Sequence, residues 1–242
     1  GNVVCQGNNV VIQGAVENAS GYDWSTTGSG TMQNVGTLEP TYVPGEEDFV
    51  NGQVQITLTA QPQAPCDENA SATITLDMIH SPVADAGEDA EICSGNTHNL
   101  NGTAQYYSSI SWNSSGDGYF ENFDNLQTQY HPGDEDIASG QVTLTLTVNG
   151  TSSECSSTDT DDMVLTINSP AVADAGEDAT ICQGETFNIV TASAQDYSSL
   201  AWTHDGQGQL LNPGSIEPTY VPGNNETGSV EITLTANDQS PC

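Results

Sequence analysis

The sequence predicts an all-β protein built from consecutive antiparallel β-sandwiches arranged as an elongated rod. Two observations carry this prediction. Apolar side chains alternate with polar ones over short segments, which is the pattern of a strand with one buried face. The same segments return after 87 to 90 residues, which is the length of a small sandwich domain.

The alternating segments recur with the same composition. Residues 142–148 alternate valine and leucine with threonine, and residues 54–58 and 230–234 repeat the pattern. Residues 163–167 form a second alternating segment, which is matched by residues 74–78. Clusters of Gly, Asn, Asp and Pro separate these segments, as turns require. We therefore expect about seven short strands in each repeat and no helix of useful length.

Four kinds of marker residue define the repeat, and their steps agree with one another. Internal periodicity of this kind indicates a tandem array of similar units. The markers are Cys5, Cys93 and Cys182; Trp24, Trp112 and Trp202; Tyr42, Tyr130 and Tyr220; and Cys66, Cys155 and Cys242.

The predicted units are residues 1–82, 83–170 and 171–242. The first unit lacks the Ala-Asp-Ala-Gly-Glu-Asp-Ala sequence that opens the other two, and the third lacks the segment that would match residues 161–167. We expect the sequence to be a window from a longer chain. As an alternative, a neighbouring subunit supplies the last strand of the third unit, as in donor-strand assembly.

The even number of cysteines, without any C-x-x-C pair, favours disulfides and an oxidising compartment. The two cysteines of each unit are 60 to 62 residues apart, so we expect one bridge inside each unit, fastening one pole of its sandwich. Closing a loop of about 60 residues stabilises a domain by roughly 4 kcal/mol in the chain-entropy description. The predicted bridges are Cys5–Cys66, Cys93–Cys155 and Cys182–Cys242.

The repeated aromatic residues are predicted core anchors. We expect the three tryptophans and the three tyrosines to pack between the two sheets of each unit. The alternative for the tryptophans is an exposed platform on which a carbohydrate stacks. Burial of the indole rings separates the two interpretations.

The charge of the chain excludes several functions. The sequence contains no Lys or Arg and 33 acidic residues, for a net charge of -33. Nucleic-acid binding is excluded because it depends on basic side chains, and no apolar run reaches membrane-spanning length. The chain carries no G-x-S-x-G or H-E-x-x-H motif, so we predict that it is not an enzyme.

The acidic residues offer candidate cation sites. Calcium prefers carboxylate and carbonyl oxygens, and a junction ion would stiffen the array, although a solvated turn explains the same residues. No cofactor is required. Residues 46–48 and 134–136 are predicted to be solvated loops, and Asp159, Asp161 and Asp162 to be surface charges and weak cation candidates. The candidate calcium ligands are Asp85, Glu88 and Asp89 and their counterparts Asp174, Glu177 and Asp178.

Four segments of the third unit carry a resemblance to a known family. They are Ala-Asp-Ala-Gly-Glu-Asp-Ala-Thr-Ile-Cys-Gln-Gly, Tyr-Ser-Ser-Leu-Ala-Trp-Thr, Pro-Thr-Tyr-Val-Pro-Gly and Gly-Ser-Val-Glu-Ile-Thr-Leu-Thr-Ala. They resemble the PKD-like or Ig-like repeats of giant Bacteroidetes surface proteins, such as the SprB-type gliding-motility adhesins exported by type IX secretion. The resemblance implies an extracellular filament at the cell surface. Its expected partners are a cell or abiotic surface, a polysaccharide and the neighbouring repeats.

Overall fold

The computed structural model describes residues 2–155 and 157–242, and nearly all of its regular structure is β-strand. The predicted all-β sandwich fold is confirmed, while the rod arrangement stays a prediction. The recorded strand pairs join strands of the same predicted unit. No helix in the described part of the chain is long and apolar enough to cross a membrane.

The first unit has two sheets. In chain order its elements are β1 (Val3–Cys5), β2 (Val10–Val11), β3 (Ala19–Thr26), β4 (Thr31–Gln33), β5 (Thr41–Val43), α1 (Glu46–Asn51), β6 (Gln53–Pro62) and β7 (Ala70–Ile79). One sheet has the order β1-β7-β6-β3 and the other has the order β2-β5-β4. The first strand, β1, runs parallel to the last strand, β7, whereas β6 is antiparallel to both of its neighbours.

The second unit repeats this arrangement. Its elements are β8 (Val83–Asp85), β9 (Ala90–Cys93), β10 (His98–Asn101), β11 (Thr103–Gln105), β12 (Tyr107–Ser114), β13 (Tyr119–Phe120), β14 (Gln127–His131), α2 (Asp134–Ser139), β15 (Gln141–Gly150) and β16 (Thr158–Asn168). The sheet orders are β12-β15-β16-β9 and β10-β14-β13, and β8 pairs with β11. Here β9 runs parallel to β16.

The third unit has fewer sheet pairings. Its strands are β17 (Val172–Asp174), β18 (Phe187–Asn188), β19 (Ser193–Gln195), β20 (Tyr197–His204), β21 (Gln209–Leu211), β22 (Thr219–Val221) and β23 (Ile232–Asp238). They form the sheets β20-β23, β18-β22-β21 and β17-β19. Residues 178–181, which correspond to β9, are not in a strand. In the second unit β9 is held by β16, and the third unit has no counterpart of β16 with which this segment could pair.

The core of each sandwich follows the alternating pattern. In the second unit Leu144, Leu146 and Leu165 have no exposed surface, and they pack with Trp112 and Tyr130 in one cluster. Tyr130 belongs to the three-stranded sheet and the others to the four-stranded sheet, so the cluster joins the two layers. A matching cluster in the first unit includes Tyr42, Val54 and Ile56.

The acidic segments 46–48 and 134–136 differ from the sequence prediction. They begin the short helices α1 and α2 instead of forming solvated loops. Asp48 is only 1% exposed and Asp136 is 2% exposed. A buried carboxylate is tolerated when donors surround it, and the helix places this third acidic residue over the core.

The donors around Asp48 come from three parts of the first unit. The Tyr42 hydroxyl donates to its Oδ2 at 2.5 Å, and the backbone N–H groups of Gly45 and Ser29 donate at 2.9 and 2.6 Å. In the second unit the Tyr130 hydroxyl donates to Asp136 at 2.6 Å. In the third unit the Tyr220 hydroxyl donates to Glu226 at 2.9 Å without a helix. The carboxylate therefore fastens the loop after β5, β14 or β22 to the core tyrosine.

These contacts change the acidity of both partners. Burial alone would favour the neutral acid, but the hydrogen bonds from Tyr42, Gly45 and Ser29 outweigh it and lower the pKa of Asp48. Burial and the bond to Asp48 raise the pKa of Tyr42 to about 12. Burial and the bond to Asp136 likewise raise the pKa of Tyr130.

We predict that Asp48→Asn destabilises the first unit. The asparagine side chain has the size of the carboxylate that it replaces. Its NH2 group is a donor, however, and it would face another donor, from Tyr42, Gly45 or Ser29. A buried donor left without an acceptor costs about 1–3 kcal/mol of unfolding free energy. Hydrogen exchange of the β6 amides in urea measures the loss. The control, Glu47→Gln, removes the same charge at an exposed position and should change the free energy by less than about 0.5 kcal/mol.

The effect of Asp48→Asn should also depend on pH. The pKa of Asp48 is lower in the folded unit than in the unfolded chain, where it is about 4. The ionised carboxylate therefore stabilises the fold above pH of about 4. This stabilisation is lost as the pH falls and Asp48 becomes protonated in the folded unit too. The difference in urea midpoint between Glu47→Gln and Asp48→Asn should therefore shrink between about pH 5 and pH 2. A difference that stays constant over this range would contradict the assignment.

Candidate functional site at the repeat junctions

Two disulfides join consecutive units. Cys5 is bonded to Cys155 with a Cα–Cα distance of 5.6 Å, and Cys93 is bonded to Cys242 with a Cα–Cα distance of 4.9 Å. Each bridge connects the cysteine at the end of a unit's parallel edge strand to the cysteine that follows the long strand β15 or β23 of the next unit. The junction between repeats is therefore covalent at two places, through the backbone and through sulfur.

The bridges predicted inside each unit, Cys5–Cys66, Cys93–Cys155 and Cys182–Cys242, are wrong. Cys5 lies opposite Ile79 at the end of β7, whereas Cys66 precedes Ala70 at the start of the same strand. A strand of this length spans about 30 Å, while a disulfide needs Cα atoms within about 7 Å. The two cysteines of a unit thus lie at opposite poles of the sandwich, too far apart to be joined. Cys66 and Cys182 are exposed and carry free thiols.

The segment that connects the first two units is also held by noncovalent contacts. The Ser81 backbone N–H donates to Gln6 Oε1 at 3.1 Å, and the Gln6 N–H donates to the carbonyl of Ile79 at 2.9 Å. The His80 ring stacks on Tyr106 of the second unit, with 3.8 Å between ring centroids. Tyr106 has a φ of 54°, a left-handed conformation that is rare for a bulky residue. Bridge, stack and hydrogen bonds together fix how the chain enters the second unit.

Several carboxylates near the junction accept hydrogen bonds from the backbone. Asp159 Oδ2 accepts the Ala84 N–H at 2.9 Å, and Asp161 Oδ2 accepts the Ala86 N–H at 2.8 Å. Both bonds tie the opening segment of the second unit to β16. Asp89 Oδ1 accepts the N–H of Val164 on the same strand at 2.8 Å. In a chain without Lys or Arg, backbone N–H groups take the place of basic partners for these acids.

The candidate calcium ligands lie along two exposed segments, at the ends of β8 and β17 and just after them. Asp85 accepts the N–H of Gly87, and Asp174 accepts the N–H of Gly176, both at 2.9 Å. Glu88, Glu177 and Asp178 are exposed. Across residues 2–155 and 157–242, no three His, Cys, Asp or Glu side chains are grouped so that they could hold a metal ion. Calcium binding at the junctions stays a prediction.

The tryptophans pack inside the sandwiches. Trp112 is 2% exposed and Trp202 is 5% exposed, while Trp24 is half-buried against the core of the first unit. Each indole N–H donates to a backbone carbonyl 13 residues later, at 3.1, 3.1 and 3.0 Å for the first, second and third units. Tyr42, Tyr130 and Tyr220 are buried as well. The burial of Trp112 and Trp202 argues against an exposed platform on which a sugar could stack.

A groove lies along one side of the third unit. Its volume is about 770 Å³, and it runs between residues 175–183 and residues 226–232, which reach the start of β23. Ile189, Trp202, Val230 and Ile232 line it. In the second unit the corresponding space is filled by β16, whose Met163, Leu165 and Ile167 are buried. The groove is therefore shaped for an extended segment with alternating apolar side chains.

Comparisons with known proteins identify the fold. A fragment of titin, domains I67–I69, has a TM-score of 0.51 at 12% identity, covering 98% of this chain and 90% of the titin chain. An E-to-A variant of the same titin domains has a TM-score of 0.50 at 13% identity and the same coverage. Mouse cadherin-23 EC22–24 matches with a TM-score of 0.43 at 12% identity, covering 98% of this chain and 90% of that chain. No protein-family model matches the chain, and no curated protein matches its sequence significantly. The titin fragments show that the chain has the fold of tandem Ig-like domains.

Proposed function

We propose that this chain is a segment of an extracellular structural or adhesive repeat array whose bridges carry tension from unit to unit. The observation that supports it is the pair of disulfides joining consecutive units. A bridge inside a unit stabilises that unit alone, whereas a bridge between units also resists their separation. Disulfides persist in oxidising compartments outside the cytosol, in keeping with an extracellular location.

The charge supports the same proposal. A net charge of -33 makes neighbouring arrays repel one another, and it keeps the units of one array apart at low ionic strength. The fold likeness is to tandem domains. The role that we propose for the junctions is mechanical and involves no catalysis.

The family resemblance refines the proposal. It favours a gliding-motility or attachment adhesin, exported by type IX secretion and held at the outer cell surface. The repeats would give such a filament length and durability, while a cell surface, an abiotic surface or a polysaccharide would be its target. These finer statements rest on the four sequence segments of the third unit that carry the family resemblance.

A second candidate function is acceptance of a strand from a neighbouring subunit, which the groove of the third unit favours. In the described part of the chain β23 pairs with β20 alone, while its counterpart β15 pairs on both sides. An added strand would restore this pairing and fill the space next to Ile189 and Ile232.

We predict that a peptide with the sequence of residues 158–168 binds the third unit. It should raise the melting temperature of that unit and slow hydrogen exchange in β23. The peptide supplies backbone hydrogen-bond partners for β23 and for residues 178–181, and three apolar side chains for the groove. The control peptide has serine at the positions of Met163, Leu165 and Ile167 and should have no effect. Equal stabilisation by both peptides would contradict strand acceptance.

The tension-bearing role predicts how far the unfolded chain can be pulled. With both bridges closed, the shortest covalent path from residue 1 to residue 242 takes 4 residue steps to Cys5 and 62 steps from Cys155 back to Cys93. Such a path reaches roughly 230 Å, compared with roughly 820 Å for the reduced chain. Single-molecule pulling with and without reductant measures both lengths. An extension that reductant leaves unchanged would contradict the role.

Cys155→Ser tests which cysteines are joined. Loss of the first bridge lengthens the covalent path from 66 to 92 residues, so the maximum extension should increase by about 90 Å. If cysteines were joined inside each unit, the same substitution would add about 210 Å. Cys66→Ser is the matched control and should leave the extension unchanged.

A further inference from the structure

The two bridges are staggered by one repeat. Cys5 and Cys93 hold the same position in their units, at the end of the parallel edge strand. Cys155 and Cys242 hold the second position, after the long strands β15 and β23. In both bridges a cysteine of the first kind is joined to a cysteine of the second kind in the following unit.

The free cysteine Cys182 is of the first kind, and its turn has the geometry of the bonded ones. Each of the three cysteines is followed two residues later by a glycine with positive φ, and three residues later by an N–H that donates to the cysteine carbonyl. The glycine φ values are 87° at Gly7, 87° at Gly95 and 84° at Gly184. The donors are Asn8, Asn96 and Glu185, at 3.0, 3.1 and 3.1 Å. The thiol of Cys182 is thus presented by the same turn that presents Cys5 and Cys93.

The other free cysteine, Cys66, is of the second kind. It lies between β6 and β7, as Cys155 lies between β15 and β16. Like Cys242, it directly follows a proline. Its backbone N–H donates to the carbonyl of Gln63 at 2.9 Å, and its side chain is exposed. Cys66 therefore holds the same position in the first unit that Cys155 holds in the second and Cys242 in the third. Those two cysteines are each bonded to the unit that precedes their own.

We propose that Cys66 and Cys182 are halves of two further bridges, each completed by a neighbouring repeat of this same kind. Cys182 would bond the second cysteine of a following repeat, and Cys66 the first cysteine of a preceding repeat. The result is a continuous series of bridges in which every repeat is joined to both neighbours. This inference rests on the cysteine geometry and is independent of the proposed adhesive function.

The bonding step is an oxidation with a defined acceptor. Two thiols form one S–S bond and release two protons and two electrons. A small-molecule disulfide such as oxidised glutathione accepts them and becomes two thiols. The partner repeat belongs either to the same polypeptide or to a second copy of the chain, and the two arms of the experiment below distinguish these sources.

The first arm uses the whole chain extended at its C-terminus by a second copy of residues 156–242. This addition completes the third unit with the β16 sequence and gives Cys182 a following repeat. We expect three bridges, of which the new one joins Cys182 to the Cys242 of the added copy, and two free thiols. Mass spectrometry of peptides cut after Glu identifies the bridges, since the chain offers no Lys or Arg for trypsin.

The same peptide map contains its own folding control. Retention of Cys5–Cys155 and Cys93–Cys242 shows that the extended chain has folded. Cys182→Ser in that chain should leave the added Cys242 as a free thiol. A free Cys182 in the unsubstituted folded chain, or its pairing with the Cys242 of its own unit, would overturn the proposal.

The second arm asks whether separate copies are joined. Chains with Cys66→Ser and chains with Cys182→Ser are incubated with a glutathione redox mixture, separately and together, in about 0.5 M NaCl to screen their repulsion. Dimers confined to the mixture and linked through Cys66 and Cys182 assign a second copy as a source of the partner repeat. Dimers that form equally in the separate solutions would overturn the head-to-tail pairing between copies.

Discussion

The parallel pairing of a short edge strand near the start of a unit with the last strand of that unit determines which cysteines can be joined. β1 runs alongside β7, and β9 runs alongside β16, so the cysteine that ends this edge strand lies at the pole where the unit ends. The other cysteine follows the long antiparallel strand and lies at the pole where the unit begins. The two cysteines of one unit cannot reach each other, whereas Cys5 and Cys93 are each joined to the complementary cysteine of the following unit. The bridge between Cys5 and Cys155 follows from this strand direction, and the stack of His80 on Tyr106 lies at the same junction.

The absence of basic side chains imposes a second constraint on the fold. A buried carboxylate needs donors, and here they come from tyrosine hydroxyls and backbone N–H groups. Asp48 and Asp136 use this arrangement to hold a helical turn on the core tyrosine. Asp89, Asp159 and Asp161 use it to fasten the opening segment of the second unit to β16. The acidic composition is thus partly structural, because some of the charge organises loops that would otherwise lack a tertiary partner.

Much of the fold could be predicted from the sequence, since the alternation of apolar and polar residues and the repeated sequence segments can be read from short stretches of the chain. The missing last strand of the third unit was also visible, and the groove beside β23 is its structural counterpart. Disulfide pairing was not predictable from spacing, because separations of 149 and 150 residues between units are as regular as those inside units. The buried Asp48 and Asp136 looked like parts of solvated acidic loops. A usable signal existed, since the tyrosine and the acid are six residues apart in all three units, including Tyr220 and Glu226.

The staggered bridges also make two closed loops of backbone that overlap. One loop runs from Cys5 to Cys155 and the other from Cys93 to Cys242, and they share residues 93–155. A protease that cuts the backbone once at any point between Cys5 and Cys242 leaves both fragments attached through at least one bridge. Bridges inside each unit would have left residues 67–92 and 156–181 unprotected, so that a single cut near either junction would release part of the chain. The observed connectivity therefore keeps the chain in one piece after a single cut in either connecting segment.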